Sequence, residues 1–145
     1  MPRQRGSVTL VHRFPHVADR HALVINHRLA FWDWVNDSNE HSLAVRPKGI
    51  EGRVYLVVTK GDTERWLEKN WLRVFEQELV IWCRDFTKWP ERTRIRFDEW
   101  FVVQVCMVVF DTGTKGLKKQ HYPPAVVGPS VIEHAKRKRP VIDMV

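Results

Sequence analysis

Two periods of apolar residues run along this chain, and between Arg53 and Trp82 they stand back to back. Val54, Tyr55, Leu56, Val57 and Val58 are apolar at nearly every position, the pattern of a central strand covered on both faces. Gly61, Asp62 and Thr63 follow as turn formers. Then Leu67, Trp71, Val74, Phe75, Leu79 and Trp82, with Ile81 beside them, recur at three- and four-residue spacing. That spacing lines one side of a long helix over about 62–82. Asp62 or Thr63 supplies the N-cap, and Glu64 suits the positive end of the helix dipole. Arg65, Glu68, Lys69, Arg73, Glu76 and Gln77 lie mostly opposite, giving a mixed, nearly neutral solvated face.

The same patterns, more weakly expressed, predict the other elements. Ser7–Phe14 is rich in β-formers and reads as a strand ended by Pro15, which has no N–H for a ladder. His21–Asn26 reads as a second short strand. Leu29, Ala30, Phe31, Trp34 and Val35 fit a smaller helix near 28–36, with a strand as the alternative because Phe31, Trp32 and Trp34 also favour sheet. Asn36–Glu40 is dense in turn formers. Ser42–Arg46 is expected to pair with the 53–59 run as a hairpin. Trp89-Pro90 fixes an extended connection. Thr93–Phe97 alternates, with Ile95 and Phe97 one way and Arg94 and Arg96 the other, and Trp100–Phe110 carries five valines; both read as strands. From Thr112 glycines and prolines interrupt any regular element. A short helix is expected from Ser130 to about Lys138, flanked by the apolar pairs Val131-Ile132 and Val141-Ile142.

The expected fold is therefore α+β. A mainly antiparallel sheet of about five strands packs on one long helix, with a globular domain over 1–112 and a basic extension over 113–145. Length supports this, since 145 residues make about one domain with a core of its own. The opening MPRQRGSVTL has no apolar signal-peptide region, no run suits a membrane span, and cytoplasm is the expected location. Cys83 and Cys106 lack disulfide or metal spacing and read as free thiols.

Net charge is +7, but its distribution decides what it means. Residues 6–112 hold 15 Lys/Arg and 15 Asp/Glu, so the body is neutral. Arg3 and Arg5 at the front, and Lys115, Lys118, Lys119, Lys136, Arg137, Lys138 and Arg139 at the back, carry the excess. Basic ends of this kind attract phosphate backbones or acidic proteins.

Candidate chemistry is sparse. His12, His16, His21 and His27 cluster with Asp19, and His12, His21 and Asp19 are the best metal set by composition, yet no HExxH, CxxC or HxH spacing occurs. No metal or cofactor is therefore implied. Asp98, Glu99 and Asp111 lie too far apart along a strand to share a substrate atom. Val58-Thr59-Lys60 has no acid where a metal-dependent nuclease needs one. No P-loop or nucleophile elbow is present.

Seven tryptophans remain. Trp66, Trp71 and Trp82 read as core, whereas Trp32, Trp34, Trp89 and Trp100 fall near element ends and are candidates for an aromatic surface or pocket. Arg92, Arg94 and Arg96, spaced two apart, would share one side of a strand beside Trp89 and Trp100, a stacking platform in a positive setting. The leading expectation is a non-enzymatic binding protein. It contacts nucleic acid through Arg92, Arg94, Arg96 and the basic residues Lys118, Lys119, Lys136, Arg137, Lys138 and Arg139. The alternatives are a protein-partner adaptor or homodimer anchored by exposed tryptophans and apolar tail residues, and a small-molecule binder or enzyme with a tryptophan-lined pocket.

Overall fold

A computed structural model describes residues 6–38, 52–58 and 61–128. In chain order they form β1 (Arg20–His27), α1 (Leu29–Ser38), β2 (Gly52–Val58), α2 (Thr63–Trp82), a 3-10 turn (Phe86–Lys88), α3 (Arg94–Trp100) and β3 (Phe101–Cys106). The class is α+β. Among the described residues the sheet has three antiparallel strands in the order β2-β1-β3, and there are three α-helices. The expected five strands and single principal helix are corrected accordingly. The expected strand over 42–46 and helix over 130–138 lie outside the described residues.

Two of the differences have clear physical causes. Thr93–Phe97 was expected as a strand, which would put Ile95 and Phe97 on one face. Instead Ile95 is 73% exposed and Phe97 fully buried, because the effective pair is Phe97 and Trp100, three apart on a helix. Thr93 caps that helix by accepting the Arg96 N–H at 3.2 Å, a side-chain-to-backbone bond that disfavours a ladder. Ser7–Phe14 forms no strand despite its β-formers; the segment is exposed throughout, so propensity without a covering face did not suffice.

Register settles which residues share each face of the sheet, since directly opposed residues point the same way. Leu23 stands opposite Tyr55 and Val105, and Ile25 opposite Arg53 and Val103, while His27 is opposite Phe101. This face meets the core, where Leu23, Ile25, Val57 and Phe101 pack with Phe31, Val35, Val74, Phe75, Leu79 and Phe97 from the helices. Asp62 caps α2 by accepting the Glu64 N–H at 2.9 Å.

The other face carries Ala22 and Val24 flanked by Val54, Leu56, Val58 and Val102. These last four are 60%, 43%, 51% and 42% exposed. The all-apolar run in β2 was expected to be a central strand covered on both sides; among the described residues it pairs with β1 alone, and Val54, Leu56 and Val58 on this face are exposed. Among the described residues no helix is long and apolar enough to cross a membrane.

Beyond the named strands the β1–β3 ladder resumes. Val17 N–H donates to Val109 O at 2.7 Å and Asp111 N–H to Pro15 O at 3.0 Å, with His16 bridged to Phe110. Two exposed segments leave the body from this short ribbon, one toward residue 6 and the other from residue 112 onward. The second returns to the body at Gly128, whose carbonyl accepts the Phe86 N–H at 2.8 Å. Residues 112–127 are thus a strap held at both ends.

Candidate functional site

The most concentrated polar chemistry lies between sheet and helix. Arg53 and Tyr55, two apart on β2, and His27 on β1 all point to the core side and converge on Glu78 of α2. Glu78 is completely buried. Its Oε1 accepts from Arg53 Nε at 2.7 Å and is 2.6 Å from His27 Nε2; its Oε2 accepts from the Tyr55 hydroxyl. Burial, and after it the charge and hydrogen bond of Glu78, push the Tyr55 phenol far above its ordinary value, with Arg53 working weakly the other way.

This arrangement is a structural pin. The His27 side chain is 3% exposed and walled by the rings of Phe31, Trp32 and Phe101 at 4.4, 5.2 and 5.6 Å, so a substrate has no approach to it. Its action is to fix the register of α2 on the sheet, since four polar groups satisfy one another at only one setting. Sequence inspection passed over Glu78. The available signal was its place inside the apolar stripe, four residues after Val74 and three after Phe75.

The arginine row dissolves on folding. Arg94 lies on α3, and two residues along a helix turn Arg96 by about 200°, to the opposite side. Arg94 pairs with Asp98 at 3.2 Å and Arg92 with Glu76 at 3.1 Å. The Arg92 guanidinium stacks over Phe86 at 4.6 Å and Trp89 at 5.3 Å. Two of the three charges are therefore locally compensated, and the three share no face.

The tryptophans divide as well. Trp32 and Trp100 are buried in the core, which corrects their expected place on a surface or pocket. Trp34 and Trp89 are half-buried and bind the 83–88 connection, donating to Lys88 O at 2.8 Å and Cys83 O at 2.7 Å.

The histidines do not gather. His21 bonds Thr63 at 2.7 Å and His27 sits in the core. Among the described residues no group of three His, Cys, Asp or Glu side chains is placed to hold a metal ion.

What folding does bring together is the two exposed segments. Residues 6–18 contain Arg13 and no acid; residues 112–128 contain Lys115, Lys118 and Lys119 and no acid. The ribbon at 15–17 and 109–111 starts them side by side. At that junction His12, Arg13, Phe14 and Phe110 line an open cleft of about 240 Å³. Lys118 and Lys119 were expected contacts and Lys115 part of the C-terminal charge excess; Arg13 and the two phenylalanines were not singled out, because only the ribbon makes them neighbours. Lys136, Arg137, Lys138 and Arg139 lie outside the described residues.

The chain matches no protein-family model, and neither a curated protein nor a solved structure shows significant similarity to it.

Proposed function

We propose that the protein is a non-enzymatic nucleic-acid-binding accessory factor that holds a phosphate backbone with its two basic, acid-free segments. The single observation behind this reading is their common origin. Arg13 on one segment and Lys115, Lys118 and Lys119 on the other leave the body at one exposed ribbon, while paired Arg92 and Arg94 contribute little free charge. Exposed Phe14, Phe110 and Tyr122 beside these cations favour a nucleic acid over an acidic protein, because rings stack on bases. The Lys136–Arg139 run adds further cations along the same chain.

Fluorescence anisotropy with labelled oligonucleotides across a salt series tests this. Four phosphate contacts from the described cations predict that log affinity falls with log salt at a slope of about −3 or steeper for a single strand. Replacing Lys115, Lys118 and Lys119 by alanine makes the slope shallower by about 2, whereas replacing Arg92 and Arg94 leaves it nearly unchanged. No binding at low salt, or affinity indifferent to salt, would overturn the proposal. A labelled polyglutamate that binds and that excess oligonucleotide does not displace would assign the segments to an acidic protein instead.

A second reading rests on the exposed apolar part of the other sheet face, Val54, Leu56, Val58 and Val102. Among the described residues the charged side chain on this face is Arg20, which is paired with Asp19 at 2.9 Å, so a second copy meets no unpaired charge from these strands. Strands of six to eight residues at ~3.3 Å per residue and ~4.8 Å apart give a face of about 300 Å² per copy. Even with the relief of side chains, such a pair reaches only the ~1,000 Å² at which specific interfaces begin. A weak, concentration-dependent dimer is expected by sedimentation velocity, and Leu56→Lys keeps it monomeric. A wild-type chain that stays monomeric at millimolar concentration would exclude this reading.

A further inference from the structure

We infer that the cleft lined by His12, Arg13, Phe14 and Phe110 is a subsite for one unpaired nucleobase, which makes single strands the preferred ligand. The inference rests on the nucleic-acid reading above and specifies its substrate class.

The cleft's size comes first. At about 240 Å³ it equals roughly eight waters at ~30 Å³ each and falls below the ~300–1,000 Å³ of ordinary small-molecule sites. A flat ring held on one open side suits it better than an enclosed metabolite.

Chemistry and rigidity agree with size. Phe14 and Phe110 are 63% and 58% exposed, an unfavourable placement for two large rings unless something covers them. Neither ring stacks on another aromatic among the described residues. Arg13 supplies a cation for the adjoining phosphate, and His12 a ring that can donate or accept at a base edge. The nearest carboxylate along the chain, Asp111, accepts the Gly113 N–H at 2.8 Å and is held in its own turn.

The walls are also set in advance. The His16–Phe110 bridge and its two flanking hydrogen bonds hold the Phe110 backbone. Pro15 restricts Phe14 to extended backbone. A paired base in a duplex is stacked on both sides and offers no free ring face, so only an unpaired one can enter.

The test compares an oligothymidylate, the matching duplex, and an abasic deoxyribose-phosphate strand of equal length. The abasic strand carries the same charge but no rings. The wild-type chain is expected to bind the oligothymidylate about tenfold or more tighter than the abasic strand. Phe14→Leu with Phe110→Leu removes that preference while leaving the salt slope and the duplex affinity in place. Both residues are exposed, so the double variant keeps its far-UV spectrum and urea midpoint. Equal wild-type affinity for abasic and base-bearing strands, with normal salt dependence, overturns the base subsite and leaves backbone binding standing. A double variant that loses single-strand and duplex affinity alike also overturns it. Absence of binding to all three strands removes both readings together.

Discussion

Replacing Glu78 with alanine is expected to destabilise the folded chain by about 3–5 kcal/mol, the usual cost of removing one partner from a buried ionic cluster. The magnitude follows from what stays behind. Glu78 is fully buried and receives Arg53 Nε and the Tyr55 hydroxyl, with His27 Nε2 at 2.6 Å. Without the carboxylate, an arginine and a phenol lose their acceptor, and the nearly buried His27 loses a partner. Arg53 is 37% exposed and can turn its head to water, so Tyr55 and His27 bear most of the loss. Glu78→Gln is expected to fall between alanine and wild type, because its amide keeps one acceptor but turns a donor toward other donors. Urea unfolding of the three proteins measures the series. A loss below about 1 kcal/mol for the alanine variant would mean that the cluster does not hold α2 to the sheet.

The same cluster predicts an alkaline limit. In the folded chain the Tyr55 phenol stays protonated well above its ordinary value of 10.0; in the unfolded chain it ionises near that value. Its contribution is complete below about pH 10. As pH rises further, the unfolded chain has lost a proton that the folded chain retains, so stability falls. Tyr55→Phe should lower stability at neutral pH by about 1 kcal/mol and flatten the alkaline decline.

How much of this was visible beforehand follows from the range of the interactions concerned. The helix at 63–82 depends on signals within one or two turns, namely a capping Asp62, an early Glu64 and a stripe of apolar residues. All of them stand in the sequence. The Glu78 cluster depends on partners 23, 25 and 51 residues away, and no local pattern reports them. A glutamate inside an apolar stripe is a warning that a partner exists, though not which one.

Strand identity was harder for a related reason. Val54–Val58 and Trp100–Phe110 look alike in composition, yet one became a strand with Val54, Leu56 and Val58 exposed and the other stops as a strand at Cys106. Whether a valine-rich run is covered depends on how many layers the domain has, which is a tertiary outcome. The arginine row failed on period: Arg92, Arg94 and Arg96 share a side only if the backbone repeats every two residues. Capping by Thr93 and the Phe97–Trp100 pair imposed a helix instead. The C-terminal segment was legible as charge, but Arg13 stood within a neutral body, and the common origin of the two segments rests on backbone hydrogen bonds between residues 15–17 and 109–111.

Phe75→Ala is expected to cost a further about 3–5 kcal/mol, by a different mechanism. Phe75 is fully buried on α2. Its ring meets Phe97 at 5.9 Å, Trp100 at 5.9 Å and Phe101 at 5.5 Å, each within 6° of perpendicular. These edge-to-face contacts contribute beyond the area that the ring buries. They also join three elements, because Phe97 and Trp100 belong to α3 and Phe101 opens β3. With α3 running directly into β3, no linker is available to absorb the void, and the surroundings can collapse only by shifting strand and helix together. Phe75→Leu, which keeps much of the volume and discards the quadrupole, is expected to lose about half as much. Because Phe75 and Glu78 lie three apart on one helix and anchor α2 to different partners, the double variant Phe75→Leu, Glu78→Gln tests their coupling. Additive losses would show that ring cluster and ionic cluster hold α2 independently. A double loss smaller than the sum would show that releasing one already lets the helix move off the other.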